Sequence, residues 1–590
     1  MRNKKILGIT LAVLFITFSF LTGCGSNEKK NTGNNSAKNT TAESTSKDDS
    51  KKNDDSKGLS MDEVQEYTFV RTSPIQTLDP QRSGSTPNWA VQSPIYEGLT
   101  RYIATPDGGA EIVEGVAKSW TISEDGLTYT FNLRDNAKWS DGTPVTAKDF
   151  EYSFKRVFDP AVASDYSWML EGIIKNGSEY LNDKASRDDV GVKALDEYTL
   201  EFVLERPCGY FLTLTAFPTY KPVKQEAVEK WGEEYGSSGD KVLGNGPFML
   251  NVWEQNVKIE YVPNPYYWDK ENVHLTKITR KVIQETAAAA QSLLNGEVDS
   301  AGINEPEWKS LLKDDGRFNH IDGAGADNEF LMFNTKNKYL KNNKIRKAIS
   351  IAIDREAYNE DVCNGNYFPS YSMVAPVTSI GNEVYTKKVN EKNQHVKTMI
   401  EANKDPKALL IQGLKEEGFD TDPSNVIITL NTRGTSEFSK KSAEWLQQKF
   451  RETLGIELNI EMTEWNIMWD KVDAGEYEIA VGGWSADYND PSTFLDCFHT
   501  KKGYYGEKKT GWTGEQAEKF NQLIDKAQMS TDNDERAQLF LEAEKVLLEE
   551  AVVTPLYSGK FSTFVGKYVK NYNSNPFVYG DFKGRYIQGR

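Results

Sequence analysis

Residues 426–484 alternate in a pattern that few folds satisfy. An apolar run at 426–432 leads into a helix-spaced stretch at 440–454, where Ala443, Leu446, Phe450 and Leu454 share one face and Gly455 closes the run. An alternating segment at 456–462, a second helical stretch at 465–474 and a strand-like run at 477–484 follow. Strand, helix, strand repetition demands right-handed crossovers and a sheet with parallel strands. Ligands of such sheets bind beyond the carboxyl ends of the strands. What stands beyond the third strand here is GGWSADYNDPSTFL, residues 482–495, with the acid Asp487 between Trp484 and Tyr488.

The residues alone leave two readings of Asp487 open. An ionised carboxylate in an aromatic-lined cleft is costly without a positive partner, so it either has an internal Lys or Arg or awaits a ligand's ammonium. Alternatively Asp487 and Asp490 are turn and cap residues ahead of a short helix, positions that Asp favours for local hydrogen bonding.

The N-terminus carries Arg2, Lys4 and Lys5, an apolar run at 6–21, and then Leu21-Thr22-Gly23-Cys24. The run is too short for a stable membrane span and reads as the core of a signal peptide, residues 1–23. Small residues before a cysteine resemble the bacterial lipobox, which implies Cys24 as a lipidated new N-terminus anchored to a membrane. Residues 25–60 are almost wholly Gly, Ser, Asn, Thr, Lys, Asp and Glu and bury too little apolar surface to order themselves. As a flexible tether they span about 30 to 36 Å.

The net charge of −17 argues against nucleic-acid binding, which needs a basic surface. Aromatic residues make up 12% of the chain, enough to supply both a core and the lining of a cleft. Cys208, Cys363 and Cys497 permit at most one internal disulfide and are expected to be buried. The four histidines lack metal-ligand spacing, and no metal or cofactor is expected. Enzyme readings fare poorly. No G-x-x-x-x-G-K-[ST] occurs, which argues against ATP hydrolysis through a P-loop in this sequence. Residues 483–487 have the outline of a nucleophile elbow without its second glycine. Asp487 and Asp490 could form a glycosidase pair, but sequence separation says nothing about carboxylate distance.

Elsewhere, residues 67–71 read as a strand, LDPQRSGSTP as a loop entering a helix near 89–98, and 127–133 as a half-buried strand. Thr146 to Asp149 is a capping-box start for a helix with Phe150, Phe154 and Val157 on one face. Residues 286–294 read as a helix, and 345–358 as another, with Ile345, Ala348, Ile349, Ala352 and Ile353 at helical spacing.

The segment GWSADYNDP resembles the G-W-x-A-D-Y-x-[DE]-P signature of the oligopeptide-binding proteins of ABC importers, the family 5 extracellular solute-binding proteins. Other blocks resemble the family in the family's order: LDPQ, YEGLTR, WSDGTPVTAKDFEYSFKRV, GNGPFML, NPYYW, NGEVD and KIRKAISIAIDRE. The resemblance implies an α/β fold of two lobes, like type II periplasmic binding proteins, with an extra domain and a hinge. Domain I is then 61–96 with 244–335 and 555–590, domain II 97–243 and domain III 336–554. It further implies a monomer held by lipid on the outer face of a bacterial membrane, taking up oligopeptides for the permease and ATPase subunits of an importer. Asp487 would hold the peptide's α-ammonium, and the backbone of Gly483, Trp484 and Ser485 would pair with the peptide. Trp465 would wall the cleft, Tyr166 would face it, and Gly84, Ser85 and Thr86 would offer main-chain contacts. Val481 stands where some members carry an arginine that meets ligand carboxylates, which leaves the peptide's C-terminus without an evident partner. The same fold could instead bind a dipeptide, a sugar or a metal chelate, or act as a sensor of a peptide signal.

Overall fold

The computed structural model describes residues 60–106 and 108–590. The signal segment, Cys24 and the tether up to residue 59 lie outside the described residues. The frame is an eleven-stranded sheet. From one end it runs Glu457–Thr463, Ile427–Arg433, Ile479–Ser485, Phe318–Phe333 and Val553–Gly566. It continues through Ser300–Gly302, Glu66–Arg71, Lys277–Val282, Lys258–Pro263 and Phe248–Glu254, with Phe368–Pro369 paired to Val553–Gly566.

The predicted alternation over 426–484 is present, with strand Ile427–Arg433, helix Glu437–Thr453, strand Glu457–Thr463, helix Trp465–Ala474 and strand Ile479–Ser485. The first strand pairs in parallel with both of the others, as the crossover argument requires. The sheet as a whole is mixed. Ile479–Ser485 lies antiparallel to Phe318–Phe333, which lies antiparallel to Val553–Gly566. These two long strands carry the chain between the sheet's two ends. Their ladder breaks between Ala324 and Asn328, and a bulge of this kind bends the strand that carries it. At this break the backbone of Gly559 lies close against the Asp327 carboxyl, which a Cβ would have to displace. The expected boundary at 335/336 falls just past the end of Phe318–Phe333, and that at 554/555 falls inside Val553–Gly566.

A separate antiparallel sheet runs Ala117–Ile122, Thr128–Leu133, Thr199–Val203 and Val192–Ala194. Thr128–Leu133 alternates strictly in burial, as its sequence predicts. Helix Ala147–Val157 packs on it, opened by the predicted capping box in which the Thr146 amide donates to Asp149 Oδ2 at 2.7 Å. Phe131, Phe154 and Phe202 meet edge-on in its core. The three cysteines at 208, 363 and 497 are free and buried. No helix among the described residues is long and apolar enough to cross a membrane.

Two expectations need correction. The run 345–358 is not one helix but two, Asn343–Ile351 and Arg355–Asp361, because Asp354 leaves the helix and caps the second by accepting from the Ala357 amide at 3.0 Å. The first helix of the body is Thr86–Gln92 rather than 89–98. It starts earlier because Ser85 takes the N-cap position and Pro87 fits the first turn.

Candidate ligand-binding site

Strand Ile479–Ser485 ends, and two residues later Asp487 faces a cavity of about 460 Å³. One wall comes from the segment that carries the four-stranded sheet, including Trp168 and Arg206. The other comes from Trp484, Asp487, Asp496 and Tyr504. Asp487 is half-buried. Its amide donates to Thr493 Oγ1 at 3.2 Å, and Oδ1 accepts from the Tyr166 hydroxyl at 3.2 Å. Among the described residues no cationic side chain forms an ion pair with it. Burial pushes its carboxyl from 3.8 up to about 6, opposed only by the Tyr166 hydrogen bond. Trp484 lines the same cavity, and its indole Nε1 has no hydrogen-bond partner.

Tyr166, which the resemblance placed facing the cleft, is not part of the cavity lining; its hydroxyl meets Asp487 from behind that lining, and aromatic contacts hold it there. Trp89 stands edge-on to it at 5.1 Å and Phe217 packs at 5.4 Å. Ser85 and Thr86 are absent from the cavity lining. They occupy the N-cap and first turn of helix Thr86–Gln92, whose Trp89 touches Tyr166. Gly84 abuts Asp165, the neighbour of Tyr166. The loop therefore reaches the site through Trp89 and Asp165 rather than through its small residues.

Gly483 pairs with Glu329, and its carbonyl accepts from the Tyr505 hydroxyl at 2.9 Å. A Cβ there would collide with the Arg433 guanidinium, which explains the glycine. The pairing of Ile427–Arg433 with this strand stops at Ala480, so residues 482–485 present an outer edge without a strand neighbour. Ser485, exposed, closes that edge. Val481 is buried in the sheet. Trp465 is 50% exposed and does not line the cavity. It stands at the end of a run of rings, 5.8 Å from Trp469, which is 6.1 Å from Tyr504, itself 5.7 Å from Trp484. An aromatic path thus leads from the cavity to Trp465.

Sequence reasoning missed Trp168, Arg206, Asp496 and Tyr504. Trp168 was within reach, because it follows Tyr166 in the stretch DYSWML. Arg206 sits in an ordinary loop and carries no motif. Among the described residues no three His, Cys, Asp or Glu side chains gather as a metal would need.

Residues 111–506 match the model of bacterial extracellular solute-binding proteins, family 5. The chain belongs to that family. It is 36% identical over 510 residues to the oligopeptide-binding protein OppA of Bacillus subtilis (strain 168), covering 85% of this chain and 88% of that one. It is 32% identical over 586 residues to the dipeptide-binding protein DppE of the same organism, covering 99% of each. Among solved structures, the unliganded open form of the periplasmic murein tripeptide-binding protein MppA matches with a TM-score of 0.73 at 28% identity, over 89% of this chain and 98% of that one. The two-lobed type II fold with its mixed α/β sheets is therefore shared. Family 5 is a family of solute binders rather than of enzymes, and the Asp487 cavity lies where the chain's two walls face each other.

Proposed function

We propose that this chain captures oligopeptides outside the cell and delivers them to the permease and ATPase subunits of an ABC importer. The observation that carries the reading is the Asp487 carboxyl, turned to a cavity between aromatic walls and left without a cation among the described residues. Every ordinary peptide brings an α-ammonium, and a partly desolvated carboxylate is its natural mate. The open edge at 482–485 adds main-chain pairing that ignores side-chain identity, as in strand addition. The ring of Trp484 and the rings leading from it to Trp465 give an extended chain a surface to lie on. OppA and DppE of Bacillus subtilis are named for oligopeptide and dipeptide binding, which supports a peptide ligand here.

The segments 97–243 and 336–554, with the remainder of the body as a third, are the units that move. The broken ladder at 325–327 is where closure around a ligand would bend the chain. The protein acts as a binder without catalysis, as a monomer, tethered through lipidated Cys24 to the outer face of a bacterial membrane.

The test is calorimetric titration of ligand-free protein with a random peptide pool and with the same pool acetylated at its N-termini. Saturable binding that disappears on acetylation supports the reading. Folded, empty protein that ignores both pools points to another solute.

A further inference from the structure

The cavity beside Asp487 holds a second charge that nothing in the protein balances. Arg206 stands in the loop between strand Thr199–Val203 and helix Phe211–Thr215 and lines the cavity from the wall opposite to that of Asp487. Among the described residues its guanidinium has no carboxylate within ion-pair distance. Its polar neighbour is the hydroxyl of Tyr210, a buried ring stacked on Tyr488 at 5.0 Å. The other base in the lining, Lys502, is already engaged, 2.6 Å from Asp525. Of the acids in the lining, Asp496 accepts from Tyr488 and Gln528, and Glu171 accepts from Ser167. No cation acts on Asp487, so Arg206 does not neutralise it across the cavity. Two opposite charges thus face one space, neither with an ion-pair partner among the described residues.

A guanidinium withdrawn from bulk water without a counter-charge is a standing cost, recovered when a planar, bidentate acceptor arrives. A carboxylate is that acceptor. Val481, buried and apolar, offers no charge to a ligand's acid end, and Arg206 supplies one from the opposite wall. A cavity of about 460 Å³ lies in the lower half of the range of small-ligand sites, so the piece of ligand it encloses is short.

We propose that Arg206 binds a carboxylate of the ligand, so that this cavity selects short peptide segments carrying an ammonium for Asp487 and a carboxylate for Arg206. The inference rests on the peptide reading above. The carboxylate has two sources, the C-terminus of a very short peptide or an acidic side chain close to the N-terminus.

The experiment is calorimetry on the full chain with four probes: Ala-Ala, Ala-Ala amide, Ala-Glu-Ala amide and Ala-Gln-Ala amide. Each is titrated into wild type, Arg206→Met and Arg206→Lys. Wild type is expected to prefer the carboxylate-bearing member of at least one pair by about 10- to 100-fold, the usual worth of a hydrogen bond to a charged group. A preference within the Ala-Ala pair assigns Arg206 to the C-terminus, and one within the tripeptide pair assigns it to an acidic side chain. Arg206→Met should erase the preference, and an unshifted thermal melt reports that the variant is folded. Arg206→Lys should keep part of the preference. Equal binding within both pairs by wild type overturns the inference, as does a preference that survives Arg206→Met. Wild type that binds a random peptide pool but none of the four probes overturns the Arg206 inference alone, whereas wild type that binds neither pool nor probes removes the peptide reading with it.

Discussion

Asp487 and Asp490 lie three residues apart in one turn and have opposite fates. Asp490 is fully buried, and both its oxygens are taken by Arg536, at 2.8 and 2.9 Å. The amide and hydroxyl of Ser492 also donate to it, at 3.1 and 2.8 Å. Asp487 accepts one tyrosine hydroxyl and meets no cation. The first carboxylate is spent on the fold, and the second, with no cation among the described residues, is the one we propose for a ligand. Burial alone does not mark a functional acid; the number of its internal partners does. The turn-and-cap reading that the sequence left open is thus right for Asp490, whose side chain closes the local turn onto Ser492.

The largest effect expected from this contrast is on stability. Asp490→Ala strands the buried Arg536 guanidinium and should cost about 3 to 5 kcal/mol of unfolding free energy. Replacing both partners by apolar residues should recover much of that, and urea titration of the single and double variants measures the difference. If the double variant is no more stable than the single one, the pair is not the unit described here.

Asp487→Ala should do nearly the reverse, costing no stability while weakening peptides with free N-termini by about a hundred- to several-thousand-fold. Acetylated peptides should lose much less. An equal loss for both would mean that Asp487 shapes the cavity rather than holding the ammonium.

A smaller effect follows from acidity. With its carboxyl raised to about 6, Asp487 is ionised above that pH and able to hold an ammonium. Affinity should be full above neutrality and fall about tenfold per pH unit below 6. Asp496, raised by burial to about 7, titrates in the same cavity. The residual affinity of Asp487→Asn should keep only the Asp496 step. Stability of the empty protein runs the other way. A carboxyl with a raised folded value favours folding while protonated, and that contribution is lost as pH climbs from 3.8 to about 6. Asp487→Asn should therefore raise the melting temperature of ligand-free protein above pH 6, read by thermal scans at two pH values.

The elements most legible in the sequence were those with strong local periodicity. The alternation over 426–484 specified three strands, two helices and their parallel pairing, because each signal lies within one element. Phe318–Phe333 was not read, because its sequence FNHIDGAGADNEFLMF mixes glycines and charges, and its pairing to Val553–Gly566 depends on residues more than 200 positions away. The split of 345–358 was missed for a related reason: apolar spacing continues across Asp354, and only its capping bond reveals the break. In the cavity lining, Asp487 and Trp484 stand in the motif that drew attention to them in the sequence, and Tyr166 lies next to that lining. Arg206, Asp496 and Tyr504 were not read, since what makes them part of the site is a wall assembled from distant segments.

The finest test of the contrast concerns Tyr166. Its hydroxyl supplies the one side-chain hydrogen bond that the Asp487 carboxyl accepts, at 3.2 Å, and this bond favours the ionised form. Asp490, with three such bonds and a backbone amide besides, would hardly register the loss of any one of them. Tyr166→Phe removes the hydroxyl and keeps the ring wedged against Trp89 and Phe217. Losing a hydrogen bond of this length should cost about 0.5 to 1.5 kcal/mol, a few-fold to tenfold in affinity for free N-termini. The acid limb of the binding profile should also move to higher pH, because the carboxylate is then less stabilised. A weakened affinity with an unmoved acid limb would place Tyr166 in contact with the peptide instead, and the same substitution in an Asp487→Asn background, where no carboxylate remains to be stabilised, should then still weaken binding.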